Sequence, residues 1–122
     1  MGATTITYFL DSAFLEQHLY YSSAYLYSMV KASDFPEDLL DFYGTECVHC
    51  NEMNPMLEQL QKDLNVKIRK VEVWHNEENA RLLEELDKGR CGAVPFFFNK
   101  KTGKFLCGAQ DYETVKKWAL GK

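Results

Sequence analysis

"DFYGTECVHCNEMNPM" occupies residues 41–56 and holds two cysteines in C-x-x-C spacing, a histidine between them and a proline five residues after the second. Three chemistries use that spacing: a structural disulfide, half of a metal site, and a dithiol that exchanges electrons with other molecules. The run "LLDFYG" (39–44) is a short apolar segment of buried-strand type, and Met53, Met56, Leu57, Leu60 and Leu64 follow at helical spacing. The cysteines thus open a helix that comes after a buried strand. Unpaired N–H groups and the dipole of a first helical turn favour an anion, so Cys47 is the thiolate candidate. In a redox reading Cys47 attacks a partner disulfide and Cys50, one turn on, resolves the mixed disulfide. A charged His49 favours the Cys47 thiolate, and the neighbouring anion Glu46 opposes it.

Outward from the motif, the pattern alternates between strand and helix. "TTITYFL" (4–10) reads as an edge strand, and residues 11 to about 32 as a long helix on Leu15, Leu19, Leu26 and Val30, also carrying Tyr20, Tyr21, Tyr25 and Tyr27. "Ser33-Asp34-Phe35-Pro36" breaks that helix. A strand is expected over 67–74, with Ile68, Val71 and Val73 in an irregular phase that suits cover on both faces. Asn76 caps the next helix and Gly89 stops it. "VPFFF" (94–98) and "KFLCG" (104–108) flank a hairpin turn at Gly103, and Asp111 opens a last helix with Val115, Trp118 and Ala119 inward. This order implies an α/β fold: a central mixed β-sheet with helices on both faces and an extended N-terminal helix. The 122 residues read as one domain, 1–122, with 1–35 atypical and 36–122 carrying the motif.

Composition narrows the function class. A hydrophobic fraction of 46% is that of a globular chain, and a net charge of −4 without basic runs argues against a dedicated nucleic-acid binder. Charge is uneven: residues 1–46 hold seven acids and one base, the remainder eleven acids and thirteen bases, which suits basic partners on the N-terminal third. No apolar run spans a membrane, and "MGATTITYFL" lacks the marks of a secretory signal or a myristoylation site. The expected setting is the cytoplasm or an organelle matrix or stroma, with a trimmed leader left open.

Four cysteines are too few for a disulfide scaffold. Zinc would need two ligands beyond Cys47 and Cys50, from Cys91, Cys107 and His75, but neither further cysteine belongs to a second C-x-x-C. No metal and no cofactor are expected. Cys91 and Cys107 read first as small buried hydrophobes, with a second redox pair or regulatory thiol as the alternative.

With these residues in place, roughly residues 39–120 resemble the thioredoxin superfamily. Asp41 stands six residues before Cys47, where that family keeps a buried acid, and Pro55 five after Cys50, where its active-site helix kinks. "AVPFFF" is similar to its cis-proline strand, and "NKKTGKFLCGA" to its terminal hairpin. The resemblance implies that Cys47 is the nucleophile, Cys50 the resolving thiol, and Asp41 a carboxyl of raised pKa that takes a proton from Cys50. It implies a cis Val94–Pro95 peptide beside the disulfide, with the Val94 backbone pairing to an extended substrate. Lys70 falls near the lysine that pairs with the acid. Tyr43, Glu46, Val94 and Gly108 are the implied substrate contacts, with His49 tuning the thiolate.

The resemblance thus implies a monomeric thiol–disulfide oxidoreductase with protein disulfides as substrates and a reductase or oxidase as redox partner. Where thioredoxins have Trp-Cys-Gly-Pro-Cys, this chain has Glu46-Cys47-Val48-His49-Cys50. The tryptophan is lost, and a His in the dipeptide is shared with disulfide isomerases and bacterial disulfide-forming enzymes. Two alternatives stand. One is a glutaredoxin-like enzyme, suggested by "Cys107-Gly108-Ala109-Gln110-Asp111"; the other is a partner-binding module built on the tyrosine-rich helix, with redox activity secondary.

Overall fold

The computed structural model describes residues 30–122; the expected strand at 4–10 and the tyrosines of the expected N-terminal helix lie outside them. Near the expected end of that helix, Ala32–Asp34 form a single 3-10 turn, closed by the Asp34 carboxylate accepting from the Lys31 N–H at 2.9 Å.

Four strands form one sheet among the described residues: β1 (Leu39–Tyr43), β2 (Ile68–Glu72), β3 (Phe96–Asn99) and β4 (Phe105–Cys107). The sheet order is β2-β1-β3-β4, with β1 parallel to β2 and antiparallel to β3, and β3 antiparallel to β4. Successive strand residues point to opposite faces, and two apolar layers result. Leu39, Ile68 and Phe97 pack with Met53, Leu57, Leu60, Val115 and Trp118 on one face. Leu40, Phe42, Val71, Val73 and Phe96 pack with Leu82 on the other. The irregular phase of β2 is thereby explained. Ile68 and Val71 are three residues apart, so they serve different layers. Phe96 and Phe97 are both fully buried on opposite faces, which is why β3 reads as an unbroken apolar run.

The helix expected from the cysteines to Leu64 is two pieces, α1 (Val48–Glu52) and α2 (Asn54–Leu64), joined at Met53. Pro55 lies in the first turn of α2; it has no N–H to give the carbonyl four residues back, so the helix is interrupted there. Asn76 caps α3 (Glu77–Asp87) by accepting from Asn79 N–H at 3.0 Å. The residue that ends α3 is Lys88 rather than Gly89: Lys88 adopts the left-handed cap (φ 54°) and donates to Glu84 O, and Gly89 (φ 74°) continues the turn. Between β3 and β4, the buried Asn99 side chain accepts from Lys101 N–H and donates to Trp118 O, tying the hairpin to α4 (Tyr112–Ala119). Asp111 caps α4 through Thr114 N–H at 2.9 Å. No helix among the described residues is long and apolar enough to cross a membrane.

The register sets where chemistry collects. Tyr43 of β1 faces Glu72 of β2, Phe42 faces Phe96 at the start of β3, and Phe96 faces Cys107 at the end of β4. The segments Gly44–Cys47, Val73–His75, Val94–Pro95 and Cys107–Gly108 therefore meet at one end of the sheet.

Candidate active site

Cys47 is the cap residue of α1, with its backbone extended (φ −74°, ψ 113°), and its sulfur accepts from the Cys50 N–H at 3.1 Å. The two cysteines are bonded, Cα to Cα 5.3 Å, and are 6% and 3% exposed. Val48 and His49 between them face solvent. The loop before them closes on itself through Cys47 N–H to Gly44 O at 3.0 Å, and Asn51 Nδ2 donates to Thr45 O.

Asp41 projects from β1 into the layer that α2 covers, the face of Leu39 and Phe97. It is 2% exposed, and its Oδ1 is buried without a hydrogen-bond partner among the described residues. Burial pushes its carboxyl up to about 6 from an ordinary 3.8 and outweighs the opposite pull of Lys70, its partner on β2 with Nζ 3.8 Å from Oδ2. Lys70 is divided between neighbours, donating to Asn54 Oδ1 and lying 4.5 Å above the Tyr43 ring. A cavity of about 300 Å³ opens beside Asp41, lined by Asn54, Glu58, Gln61 and Lys70 among others. A polar cavity of that size has room for water that would join the carboxyl to solvent.

The opposition between Glu46 and His49 is less direct than their sequence positions suggest. The Glu46 carboxylate is held by His75 Nε2 at 2.7 and 2.9 Å, and His49 Nδ1 lies 3.4 Å from Glu52. Glu46 and His49 thus each face an ionisable partner of their own. The hydrogen bond with Glu46, then its charge, raise His75 above its ordinary 6.5.

Three residues beyond the motif build this rim. Glu72 accepts from Thr45 N–H and Thr45 Oγ1 at 3.0 Å each, from Trp74 N–H at 3.2 Å and from His75 N–H at 2.8 Å. Burial pushes the Glu72 carboxyl up, but the His75, Thr45 and Trp74 donors outweigh it and hold it below its ordinary 4.5. Trp74, 52% exposed, lies against Gly44, where any Cβ would collide with the indole ring. An exposed tryptophan from a different loop therefore stands at the rim that lacks the tryptophan before the first cysteine. Nothing in the motif spacing signals Glu72, Trp74 or His75; their contacts to the cysteine loop span nearly thirty residues of chain.

On the far side of the rim, the Val94–Pro95 peptide is cis, and Gly108 N–H donates to Pro95 O at 2.8 Å. Gly108 has φ +84°, a conformation that favours glycine. The expectation that Cys91 and Cys107 are buried hydrophobes is corrected: they are bonded to each other, Cα to Cα 5.6 Å, with Cys91 half-buried and Cys107 exposed. The register that sets the end of β4 beside the start of β3 brings them together. His75, considered as a zinc ligand, is engaged with Glu46, and no cluster of metal-ligating side chains occurs among the described residues.

Against known proteins, the thioredoxin family model matches residues 22–118. The chain belongs to the thioredoxin family. This match reaches further back than the resemblance from residue 39 and takes in part of the atypical segment 1–35. Solved thioredoxins share the fold. Mitochondrial thioredoxin 3 of Saccharomyces cerevisiae, in its oxidized form, is 24% identical with a TM-score of 0.53 over 75% of this chain and 92% of that one. A mutant thioredoxin from Halobacterium salinarum is 28% identical with a TM-score of 0.51, over 67% and 72% of the two chains. A glutaredoxin from Archaeoglobus fulgidus, 18% identical, has a TM-score of 0.51 over 69% and 87%. No curated protein sequence matches the chain. Family, fold and adjacent cysteine pair together support thiol–disulfide oxidoreduction in general.

Proposed function

We propose that this thioredoxin-family chain reduces or forms disulfides in protein substrates through Cys47 and Cys50, as a single monomeric domain working with a separate reductase or oxidase. The observation that carries the reading is the closed Cys47–Cys50 pair at a helix cap, with the Cys50 N–H directed at the Cys47 sulfur; the buried Asp41 carboxyl, at about 6, is the proton acceptor this reading assigns. In the reducing direction the Cys47 thiolate attacks one substrate sulfur. A Cys47–substrate disulfide forms, and the second substrate sulfur leaves as a thiolate and takes a proton. Cys50 then gives its proton, relayed by water, to Asp41 and attacks the Cys47 sulfur. The Cys47–Cys50 disulfide closes, the remaining substrate thiolate departs, and two electrons have passed to the substrate. A carboxyl titrating near 6 suits that task, because it is largely ionised at neutral pH yet still basic.

Substrate docks, in this reading, as an extended segment against Val94 and Pro95, flanked by Tyr43, Glu46 and Gly108, with His49 on the solvent side of the sulfurs. The setting proposed is the cytoplasm or an organelle matrix or stroma, with which likeness to a mitochondrial thioredoxin is compatible. Insulin reduction with dithiothreitol tests the assignment. Cys47→Ser is expected to abolish the catalysed rate, and Cys50→Ser to accumulate mixed disulfides with substrate. Equal rates for wild type and Cys47→Ser would refute it.

A further inference from the structure

We propose that Cys91–Cys107 is a second, reversible dithiol–disulfide site, opened by an external dithiol, whose closed form clasps the docking rim for substrate. The bond joins the segment leading into Val94–Pro95 to the end of β4, one residue before the Gly108 N–H that holds the Pro95 carbonyl at 2.8 Å. It therefore closes a ring of contacts around the part of the rim to which the proposed function assigns substrate, and the docking half of the inference rests on that assignment.

Two features separate this bond from a buried staple. The Cys107 side is exposed, so an incoming thiolate has a sulfur to attack. The Cys91 side keeps an anchor that does not depend on the bond. Asp87, 5% exposed at the end of α3, accepts from Cys91 N–H at 2.7 Å and from Gly92 N–H at 2.8 Å. Arg90 adds a second tie, donating to Asp87 O and lying 4.1 Å above the Phe105 ring of β4. After reduction the loop stays attached to α3 through Asp87 and loses only its covalent link to β4. The bond can thus open and close on a folded chain.

The step balances with a dithiol as reductant. One thiolate of the dithiol attacks the Cys107 sulfur; a mixed disulfide forms, and Cys91 leaves as a thiolate and takes a proton. The second thiolate of the dithiol closes its own disulfide and releases Cys107, which is protonated in turn. Two electrons move from the dithiol to Cys91 and Cys107.

The test begins with a full-length C47S/C50S chain, which isolates the second pair from the first. It is equilibrated in graded ratios of reduced and oxidised dithiothreitol, quenched with acid, alkylated and weighed. A reversible transition between zero and two alkylated thiols, with native circular dichroism throughout, is expected. Two alkylated thiols at every ratio, or none until denaturant is added, would overturn the proposal. The docking half is read from the first turnover of fully oxidised protein with a reduced peptide dithiol, followed as loss of the Cys47–Cys50 disulfide by the mass of the alkylated proteolytic fragment that carries Cys47 and Cys50. C91S/C107S is expected to raise the half-saturating peptide concentration at least threefold and leave the limiting rate unchanged. An unchanged half-saturating concentration would overturn the clasp. An active Cys47→Ser would instead remove the proposed function and leave the titration of the second pair standing.

Discussion

Replacing Asp41 by Asn should stabilise the oxidised protein, and only above a defined pH. The carboxyl titrates at about 6 in the folded chain against 3.8 ordinarily, chiefly because it is buried. At about 1.36 kcal/mol per pH unit, the folded state carries a penalty of about 3 kcal/mol once Asp41 is ionised. The sign comes from proton binding. Between those two values the folded chain holds more protons than the unfolded one, so stability falls as pH rises through the window and stays lower above it. Asn is nearly isosteric and carries no charge to desolvate, so the variant lacks that fall. Urea melts of oxidised wild type and Asp41→Asn between pH 4 and 8 isolate the effect, because the other titrating groups cancel in the difference and the bonded cysteines do not titrate. The two proteins should nearly coincide at pH 4 and separate by about 2–3 kcal/mol at pH 7.5, a midpoint shift of roughly 1 M or more. A constant offset at every pH, or a less stable variant at pH 7.5, would refute the account of a costly buried carboxylate.

Other expectations concern the rim and the hairpin. The His75 resonance should titrate above its ordinary 6.5 and return toward it in Glu46→Gln, since Glu46 supplies both leading causes of the rise. With Glu46 ionised, the stabilising contact is complete below the ordinary 6.5 of His75 and is lost as pH rises through the raised folded value. His75→Gln leaves the Glu46 charge uncompensated beside Cys47, so the Cys47–Cys50 couple should become more reducing; an unchanged or higher potential in glutathione titrations would contradict this. Gly44→Ala sets a methyl group against the Trp74 indole, and a cost of about 1–3 kcal/mol with altered tryptophan emission is expected. Emission identical to wild type would show that the ring does not rest there. Asn99→Ala leaves Trp118 O and Lys101 N–H without their partner, and thermal unfolding should report a loss of about 1–3 kcal/mol.

Much of the fold is legible in the sequence because local signals agree with the sheet. An apolar strand, a helix whose second piece has a proline in its first turn, and three consecutive phenylalanines fix β1, α2 and β3 with little ambiguity. The phase of β2 resists a simple pattern because Ile68 and Val71 serve different layers, a tertiary fact that periodicity alone does not carry. The end of α3 differs by one residue from the glycine signal because Lys88 itself takes the left-handed conformation that glycine is expected to supply. At the site, the cysteine motif and the Asp41 position lie within ten residues of each other, so spacing speaks directly. Glu72, Trp74 and His75 act on the same loop through the parallel pairing of β1 and β2, and only the register reveals them. The bond between Cys91 and Cys107 likewise depends on the β3–β4 pairing, because a sequence separation of 16 imposes no geometry of its own.

The two-faced burial of β3 has a mechanical consequence. Met53 and Leu57, which follow Cys50 in the chain, belong to the layer of Phe97, whereas Cys91 and Val94 pack into the layer of Phe96. The sheet thus acts as a septum between two compartments of the core, and the Cys91–Cys107 bond is rooted on the Phe96 side. Repacking forced on one side meets the rigid plane of the strands before it reaches the other. Core substitutions on opposite sides of the septum should add in free energy, as independent sites do.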